Sequence, residues 1–307
     1  MHLYPKNVLT VGKSSINSAQ QIAFDRIISH LQAEKRSYFF VDGPIGTRKT
    51  FLYNALYAKV RLAGKTMLPT ATSGIVAVNI PSGRTAHSRF KIPLDSEASL
   101  ACDVPKQGSL AALIKEIALI IWDEASMARK ENIESVNLLL SDLCDLDQPF
   151  GGKFIVLGGD FIQVSPVIPQ KTQTKSFETS LVSSYIWPWL EKLHLTENIR
   201  AKEDLPYASF LLSLGNGELQ SSENAFVQFP CHVVSYYQQA DEPIDHLAVT
   251  AFRELEHVDF SPDIFTERAI LTPLNDVVQF RSYSSLEFEH SNWIFKVLVN
   301  NNLLCID

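Results

Sequence analysis

A short segment between a predicted strand and a predicted helix combines residue types that bind phosphate. A glycine-rich turn there can aim backbone N–H groups at an anion, a lysine can pair with the β- and γ-phosphates, and a threonine hydroxyl can bind Mg²⁺. The segment fits the pattern G-x-x-x-x-G-K-[ST] at all but one position. Its candidate ATP-binding residues are Gly43, Pro44, Ile45, Gly46, Thr47, Arg48, Lys49 and Thr50.

The position that departs from this pattern is Arg48, which stands where glycine is expected. Glycine lets the backbone pass close to a phosphate without a Cβ atom. If position 48 requires a positive φ, an arginine there costs about 1–2 kcal/mol, before any crowding by its side chain. We therefore expect Arg48 to weaken ATP binding. For the loop taken alone, a Gly/Pro turn that merely joins strand to helix is the alternative.

Polar residues also follow two other predicted strands. Asp123 and Glu124 end the apolar run Leu119–Trp122, where the aspartate could hold Mg²⁺ and the glutamate could activate an attacking water. Gln163 follows the run Phe154–Leu157, at the strand end where open α/β sheets bind ligands, and could sense a γ-phosphate or orient water. A helix-capping acid pair and an ordinary loop glutamine are the alternatives. The three features in this order favour a nucleotide site.

A basic stretch with one aromatic residue lies between the loop and the acid pair. Arg84, His87, Arg89 and Lys91 surround Phe90, with no acidic residue among them. Cations for phosphates and a ring for base stacking are typical of grooves that bind single-stranded nucleic acid. A solvated loop is the alternative when the stretch is considered by itself.

Helices and strands are predicted to alternate through the first two hundred residues. Helical spacing of apolar residues predicts a helix that starts at Asn17 or Ser18 and includes Ala19, Ile22, Ala23, Ile27, Ile28 and Leu31. Further helices are predicted over Lys49–Leu62, Gly74–Ile80 and Ile133–Leu143. Strands are predicted over Tyr38–Val41, Thr66–Ala71, Ala118–Trp122 and Phe154–Leu157. This alternation predicts an α/β fold with a parallel sheet flanked by helices.

The pattern weakens beyond Arg200, where one helix (Leu205–Leu214) and one strand (Ala269–Pro273) are predicted. The charge changes at the same point. Residues 1–202 carry 23 basic and 18 acidic residues, a net of +5, whereas residues 203–307 carry 4 and 16, a net of −12. We therefore predict a domain boundary near residue 201, with a small polar insertion over residues 93–108.

The bulk composition favours an intracellular protein without a membrane anchor. The longest apolar candidate, Leu110–Trp122, is interrupted by Lys115 and Glu116, and the N-terminus lacks a signal-peptide pattern. The whole chain has a net charge of −7, which gives no overall support for nucleic-acid binding. Four widely spaced cysteines without metal-ligand spacing suggest free thiols, and they are Cys102, Cys144, Cys231 and Cys305.

Several segments together resemble the Pif-type DNA helicases, in particular the branch carried by Helitron transposons and its plant relatives. The runs Thr72–Ala77 and Gly83–Pro93 closely resemble the DNA-tracking motif of that family. The resemblance extends over residues 16–275, and its other segments are Asn17–Gln20, Ile121–Ala125, Gly158–Val164 and Leu195–Arg200.

The resemblance implies a RecA-like P-loop NTPase that uses ATP and Mg²⁺ to unwind DNA 5′-to-3′ in nuclear repair, recombination and telomere maintenance. It implies single-stranded or forked DNA as the nucleic-acid partner. Gln20 would recognise adenine, and Thr50 and Asp123 would hold Mg²⁺. The implied catalytic residues are Lys49, Asp123, Glu124, Gln163 and Arg200. The implied DNA-binding residues are Ser73, Gly74, Arg84, His87, Arg89 and Phe90.

The same resemblance divides the chain into a RecA-like ATP-binding domain over residues 1–200 and an incomplete second RecA-like domain with a divergent tail over residues 201–307. Arg48, Ile45 and Ile162 depart from the family's usual residues. The family's later motifs have no counterpart after Asn275. The alternative function is therefore a catalytically impaired helicase remnant that binds DNA or a protein partner without turnover.

Overall fold

The computed structural model describes residues 16–94, 99–162, 177–200, 202, 204–219, 227, 229 and 252. The chain divides into two compact units, residues 1–219 and residues 220–307, and every helix and strand below belongs to the first. The predicted boundary near residue 201 stays a prediction. The strand predicted over Ala269–Pro273 and the tail after it lie outside the described residues.

The described elements are built on a six-stranded sheet in which every neighbouring pair of strands is parallel. The strands are β1 (Tyr38–Asp42), β2 (Met67–Ala71), β3 (Arg84–Thr85), β4 (Leu119–Asp123), β5 (Ile155–Gly159) and β6 (Glu191–His194). Their order across the sheet is β3-β2-β4-β5-β1-β6. The predicted parallel sheet is confirmed, and the carboxyl ends of β1, β5 and β4 lie side by side.

Helices cover both faces of this sheet. The described helices are α1 (Ser18–Gln32), α2 (Lys49–Leu62), α3 (Gly74–Ala77), α4 (Ala86–Phe90), α5 (Ser109–Glu116), α6 (Lys130–Cys144) and α7 (Leu205–Gly215). Helix α7 has no buried residue and belongs to neither core of the sheet. Short 3₁₀ turns occupy Ala125–Met127, Pro149–Gly152, Leu181–Ser183 and Trp187–Trp189.

Alternate residues of each strand feed two separate hydrophobic cores, as the period of two along a strand requires. Phe39 and Ile121 belong to the core under α1 and α2, whereas Phe40 and Trp122 belong to the core under α4, α5 and α6. All four side chains are essentially inaccessible to solvent. The near-continuous apolar character of β1 and β4 therefore reflects burial on both faces.

Helix α1 begins where the sequence predicted. Asn17 is its N-cap and forms a capping box with Gln20, because each side chain accepts a hydrogen bond from the other residue's backbone N–H, at 2.8 and 3.1 Å. Of the apolar residues that predicted this helix, Ile22 lies on its exposed side and is 68% exposed.

Other differences from the predicted elements have local causes. Helix α3 ends at Ala77 rather than at Ile80, where Pro81 disfavours helical backbone in the residue before it. The apolar run from Leu110 to Trp122 divides at Ile117, whose extended backbone ends α5 before β4 begins. Strands β3 and β6 were not predicted, since they are short and lie at the two edges of the sheet.

Within the described ranges, no helix is long and apolar enough to cross a membrane. Cys102 and Cys144 are free thiols, and the other two cysteines lie outside the described residues. Residues 99–108, in the predicted insertion, contain neither helix nor strand, and Asp103 donates its backbone N–H to the carbonyl oxygen of Lys91 at 3.1 Å.

Candidate nucleotide-binding and DNA-binding sites

The candidate phosphate loop joins the carboxyl end of β1 to the first residue of α2. Its first residue, Gly43, donates its backbone N–H to the carbonyl oxygen of Gly159 on β5, at 3.3 Å. Leu195 donates its N–H to the carbonyl oxygen of Asp42, at 2.7 Å. The loop is therefore anchored on both sides by the strands that flank β1.

Inside the loop, hydrogen bonds fix a compact turn around Pro44. Thr47 donates to the Pro44 carbonyl oxygen from both its hydroxyl and its backbone N–H, at 2.9 and 3.3 Å. Gly46 has a φ of +90°, and a Cβ atom there would collide with the side chain of Asn198. Lys49 is 8% exposed, and its Nζ donates to the Gly43 carbonyl oxygen at 2.6 Å. The lysine thus lies across the loop with its ammonium group inside the turn.

Arg48 adopts the left-handed conformation, with φ 57° and ψ 45°, immediately before α2. The positive φ considered for this position is therefore present, at a cost of about 1–2 kcal/mol for a residue with a Cβ atom. The side chain is exposed and does not fill the turn. An arginine at position 48 therefore strains the backbone, but its side chain does not crowd the phosphate loop.

Gln20 on α1 contacts this loop directly. Its side-chain Nε2 donates to the carbonyl oxygens of Thr47 and Arg48, at 2.8 and 3.4 Å, and its Oε1 accepts from the N–H of Asn17. The residue is 1% exposed. In this structure the amide positions the phosphate loop, and its expected contact with adenine stays a prediction.

The acid pair lies at the carboxyl end of β4, two strands from the loop. Asp123 is 2% exposed, and its Oδ1 accepts from the backbone N–H of Glu124 at 2.9 Å. Glu124 has a φ of 54°, and its carbonyl oxygen accepts from the hydroxyl of Thr72 at 2.5 Å. Trp122 in turn donates its indole N–H to the Thr72 hydroxyl at 3.1 Å. The turn after β4 is therefore fixed by β2 and by the core.

Burial makes both carboxyl groups unusually basic. It raises the pKa of Asp123 to about 7, with a further contribution from the negative charge of Glu124, while the charge of Lys49 opposes the rise. Burial likewise raises the pKa of Glu124, and Lys49 again opposes this, while Asp160 adds to it. These mutual effects mean that the loop lysine and the two acids lie within one electrostatic neighbourhood.

Asp160, which was not among the predicted site residues, links the carboxyl end of β5 to the phosphate loop. Its Oδ2 accepts from the backbone N–H of Ile45 and its Oδ1 from that of Ile162, each at 2.9 Å. Its backbone N–H donates to the Ser126 hydroxyl at 3.0 Å. The sequence feature that could have identified Asp160 is its position directly after the apolar strand β5. Gln163, the predicted sensor, lies outside the described residues.

Arg200 lies beside the loop. Its backbone N–H and that of Ile199 donate to the Gly46 carbonyl oxygen, at 3.3 and 2.9 Å. The Asn198 side-chain oxygen also accepts from the Arg200 N–H, at 3.1 Å. Burial, followed by the positive charge of Arg48, lowers the pKa of Arg200. The predicted γ-phosphate sensor is thus attached to the turn that it would monitor.

The predicted DNA-binding residues surround the end of β2 and the neighbouring edge strand β3. Ser73 caps α3 by accepting from the N–H of Val76 at 3.3 Å, and Gly74 is the first residue of that helix. Arg84 is exposed, whereas Arg89 is half-buried and donates from Nη2 to the Ser82 carbonyl oxygen at 2.6 Å.

Burial also changes the pKa values of two of the predicted DNA-binding residues. It lowers the pKa of His87, and burial followed by the positive charge of Arg84 lowers the pKa of Arg89. The two arginines therefore lie close enough to repel each other.

Phe90 requires a correction. It was expected to stack on DNA bases, but its side chain is inaccessible to solvent. Its ring lies 6.3 Å from that of Trp122, in the core under α4. A ring buried in this way cannot contact a base unless α4 moves, so we assign Phe90 to the core.

The carboxyl end of the sheet has the donor and acceptor groups that a magnesium–nucleotide complex requires. Glu124 Oε2 is buried without a hydrogen-bond partner, and Asp123 is a buried carboxylate beside it. A cation would satisfy both, since carboxylate oxygens are preferred Mg²⁺ ligands. Among the described residues, no three His, Cys, Asp or Glu side chains are grouped so that they could hold a metal ion by themselves. Mg²⁺ usually binds to one or two carboxylates, substrate phosphates and water.

The parallel sheet and the loop between β1 and α2 define the class of the protein as a RecA-like P-loop nucleotide-binding fold. The sequence profile of the PIF1-like helicases matches residues 15–225. The chain belongs to the PIF1-like helicase family.

Similar proteins agree with this assignment. The chain is 32% identical over 130 residues to the ATP-dependent DNA helicase Pif1 of Psychrobacter sp., covering 42% of this chain and 20% of that protein. It is 26% identical over 207 residues to the ATP-dependent DNA helicase PIF1 of Xenopus laevis, covering 66% and 30%. The chain therefore spans less than a third of the length of these two curated relatives.

Solved structures share the fold. The crystal structure of Pif1 helicase from Candida albicans superposes with a TM-score of 0.57 at 19% identity, covering 88% of this chain and 62% of that one. A Pif1 structure that describes DNA unwinding at forked double-stranded DNA gives 0.55 at 24% identity, covering 67% and 49%. At these identities the likeness establishes the fold.

Proposed function

We propose that this chain provides the ATP-binding domain of an ATP-dependent DNA helicase that couples ATP hydrolysis to 5′-to-3′ unwinding. The observation that carries this proposal is the convergence of three sequence motifs on one edge of the sheet. Lys49 follows the loop after β1, Asp123 and Glu124 lie at the carboxyl end of β4 two strands away, and Arg200 bonds to the loop. Family membership supplies the expected reaction.

In this proposal the loop binds the phosphates of ATP. Backbone N–H groups around Gly46 and the amino end of α2 would surround the β-phosphate, and the Lys49 ammonium would exchange the Gly43 carbonyl oxygen for phosphate oxygens. Gln20 would keep the loop in its binding conformation through its bond to Thr47.

Thr50 and Asp123 would hold Mg²⁺, which neutralises charge on the phosphates when bound. Glu124 would accept the proton of the attacking water, and burial favours this role because it raises the pKa of that carboxyl group. Gln163 and Arg200 would respond to the γ-phosphate.

We further propose that single-stranded or forked DNA passes over the end of β2. Ser73 and Gly74 offer backbone N–H groups at the start of α3, and Arg84, His87 and Arg89 offer side chains for phosphates. We also propose an intracellular, nuclear location for the chain. No described contact favours the alternative of a remnant that binds without turnover.

The test is ATP hydrolysis by the purified chain, measured with Mg²⁺ and with or without single-stranded DNA. The unmodified chain should hydrolyse ATP faster when DNA is present, and Glu124→Gln should lose at least about 100-fold in rate while still binding ATP, as expected for removal of a general base. A DNA-independent rate that Glu124→Gln leaves unchanged would refute the proposal.

A further inference from the structure

Arg48 combines a left-handed backbone with an exposed side chain at the phosphate end of the loop. Its side chain makes no hydrogen bond or ion pair with any residue in the described part of the chain. Strained residues persist where their surroundings enforce the conformation, and they cluster at functional sites. Glycine would adopt the same backbone without strain, so the arginine side chain is the feature that requires an explanation.

A second guanidinium group lies close to Arg48. Arg200 follows Asn198 along the segment that packs on Gly46, and its Cβ lies 3.1 Å from where a Cβ of Gly46 would be. The charge of Arg48 contributes to a lowered pKa for Arg200. Two neighbouring guanidinium groups repel each other, and phosphate oxygens can accept hydrogen bonds from the planar fork of each.

We propose that Arg48 determines specificity for the terminal phosphate of a nucleoside triphosphate, acting with Arg200 as a two-arginine clamp on that group. This inference rests on the proposed function, because the clamp requires the phosphates to occupy the loop as described. It reverses the expectation from sequence that Arg48 only weakens ATP binding. The exposed Arg48 side chain directly precedes Lys49, the residue that would bind the β- and γ-phosphates, so its guanidinium group is available to the end of a triphosphate chain.

If the clamp exists, Arg48→Gly should raise the melting temperature of the free chain and lower its affinity for Mg-ATP. Relief of the left-handed strain should raise the melting temperature of the free chain by about 2–4 °C. Affinity for Mg-ATP, measured by calorimetric titration, should fall about 10-fold or more, because a charge-assisted hydrogen bond is lost. Affinity for Mg-ADP, which lacks the terminal phosphate, should change less than about 2-fold by the same reasoning.

Two further variants distinguish the effect of the Arg48 side chain on nucleotide affinity from the effect of its strained backbone. Arg48→Lys keeps the charge but not the fork, so its Mg-ATP affinity should lie between those of the unmodified chain and Arg48→Gly. Arg61→Ala removes one exposed charge from the opposite end of α2 and should leave the ratio of ATP to ADP affinity unchanged.

An Arg48→Gly chain that binds Mg-ATP as tightly as the unmodified chain would overturn the clamp. If Lys49→Ala nevertheless loses binding, the nucleotide site stands and only the role of Arg48 is lost. Absence of nucleotide binding in the unmodified chain would overturn the proposed function and the clamp together.

Discussion

The side-chain amide of Gln20 donates to the carbonyl oxygen of Thr47 at 2.8 Å, joining the first helix to the phosphate loop across 27 residues of sequence. Both groups are buried, with each residue 1% exposed. A backbone carbonyl in the loop therefore depends on one distant side chain for its hydrogen bond, so α1 contributes to the shape of the nucleotide site.

This contact predicts that Gln20→Ala lowers both stability and nucleotide affinity. Leaving the Thr47 carbonyl oxygen unsatisfied should cost about 1–3 kcal/mol of folding free energy, measurable by urea denaturation. The adjacent Gln21→Ala is the matched control, since the Gln21 side chain makes no hydrogen bond or ion pair with a described residue. Equal unfolding free energies for the two variants would show that the bond has no structural importance.

The buried acid pair predicts a pH-dependent stability. The pKa of Asp123 is raised to about 7, above the value of about 4 expected in the unfolded chain. A group of this kind stabilises the fold at pH values below the unfolded pKa, and its contribution is lost as the pH rises towards 7.

Asp123→Asn should therefore raise the melting temperature relative to the unmodified chain more at pH 8 than at pH 4. Added Mg²⁺ should narrow this difference at pH 8, because a cation favours the ionised carboxylates. Thermal unfolding over this pH range measures both effects, and a difference that does not vary with pH would contradict the raised pKa.

Arg84 and Arg89 should each contribute a phosphate contact to single-stranded DNA. Every such cation adds about −0.7 to the slope of log K against log salt. The double variant Arg84→Ala/Arg89→Ala should therefore bind more weakly, with a slope smaller in magnitude by about 1.4. Fluorescence anisotropy with a labelled oligonucleotide at several salt concentrations measures this. Arg36→Ala, an exposed arginine before β1, should leave the slope unchanged.

Phe90→Ala should lower the stability of the whole fold. Removing a fully buried phenylalanine should cost about 3–5 kcal/mol of unfolding free energy. Phe90→Leu keeps most of the apolar volume, so it should retain most of the stability and bind single-stranded DNA as the unmodified chain does. A stable Phe90→Leu chain with strongly reduced DNA affinity would restore the stacking function predicted from sequence.

The sequence was most informative where local chemistry decides the structure. The capping box of Asn17 and Gln20, the β1–loop–α2 connection and the buried runs of β4 and β5 follow from residue types at fixed spacing. The parallel sheet, and the position of the acids at the same edge as Lys49, then follow from the alternation of strands and helices.

What could not be predicted depends on contacts between distant segments. The role of Asp160 arises from its contact with Ile45, 115 residues earlier. Strand β6 is polar and only four residues long, and it exists because it pairs with β1. Phe90 seemed suited to stacking because its sequence neighbours are cations, but α4 turns its ring towards Trp122.

The central claim is that the loop lysine and the acid pair form one magnesium–nucleotide site. It is tested most directly by titrating a fluorescent ATP analogue, with Mg²⁺ present, against the unmodified chain, Lys49→Ala and Asp123→Ala. Lys59→Ala removes an exposed lysine from the same helix and serves as the control. We predict that both site variants lose at least about 10-fold in affinity, while the control binds normally. Equal affinity for all four chains would contradict the assignment of the site.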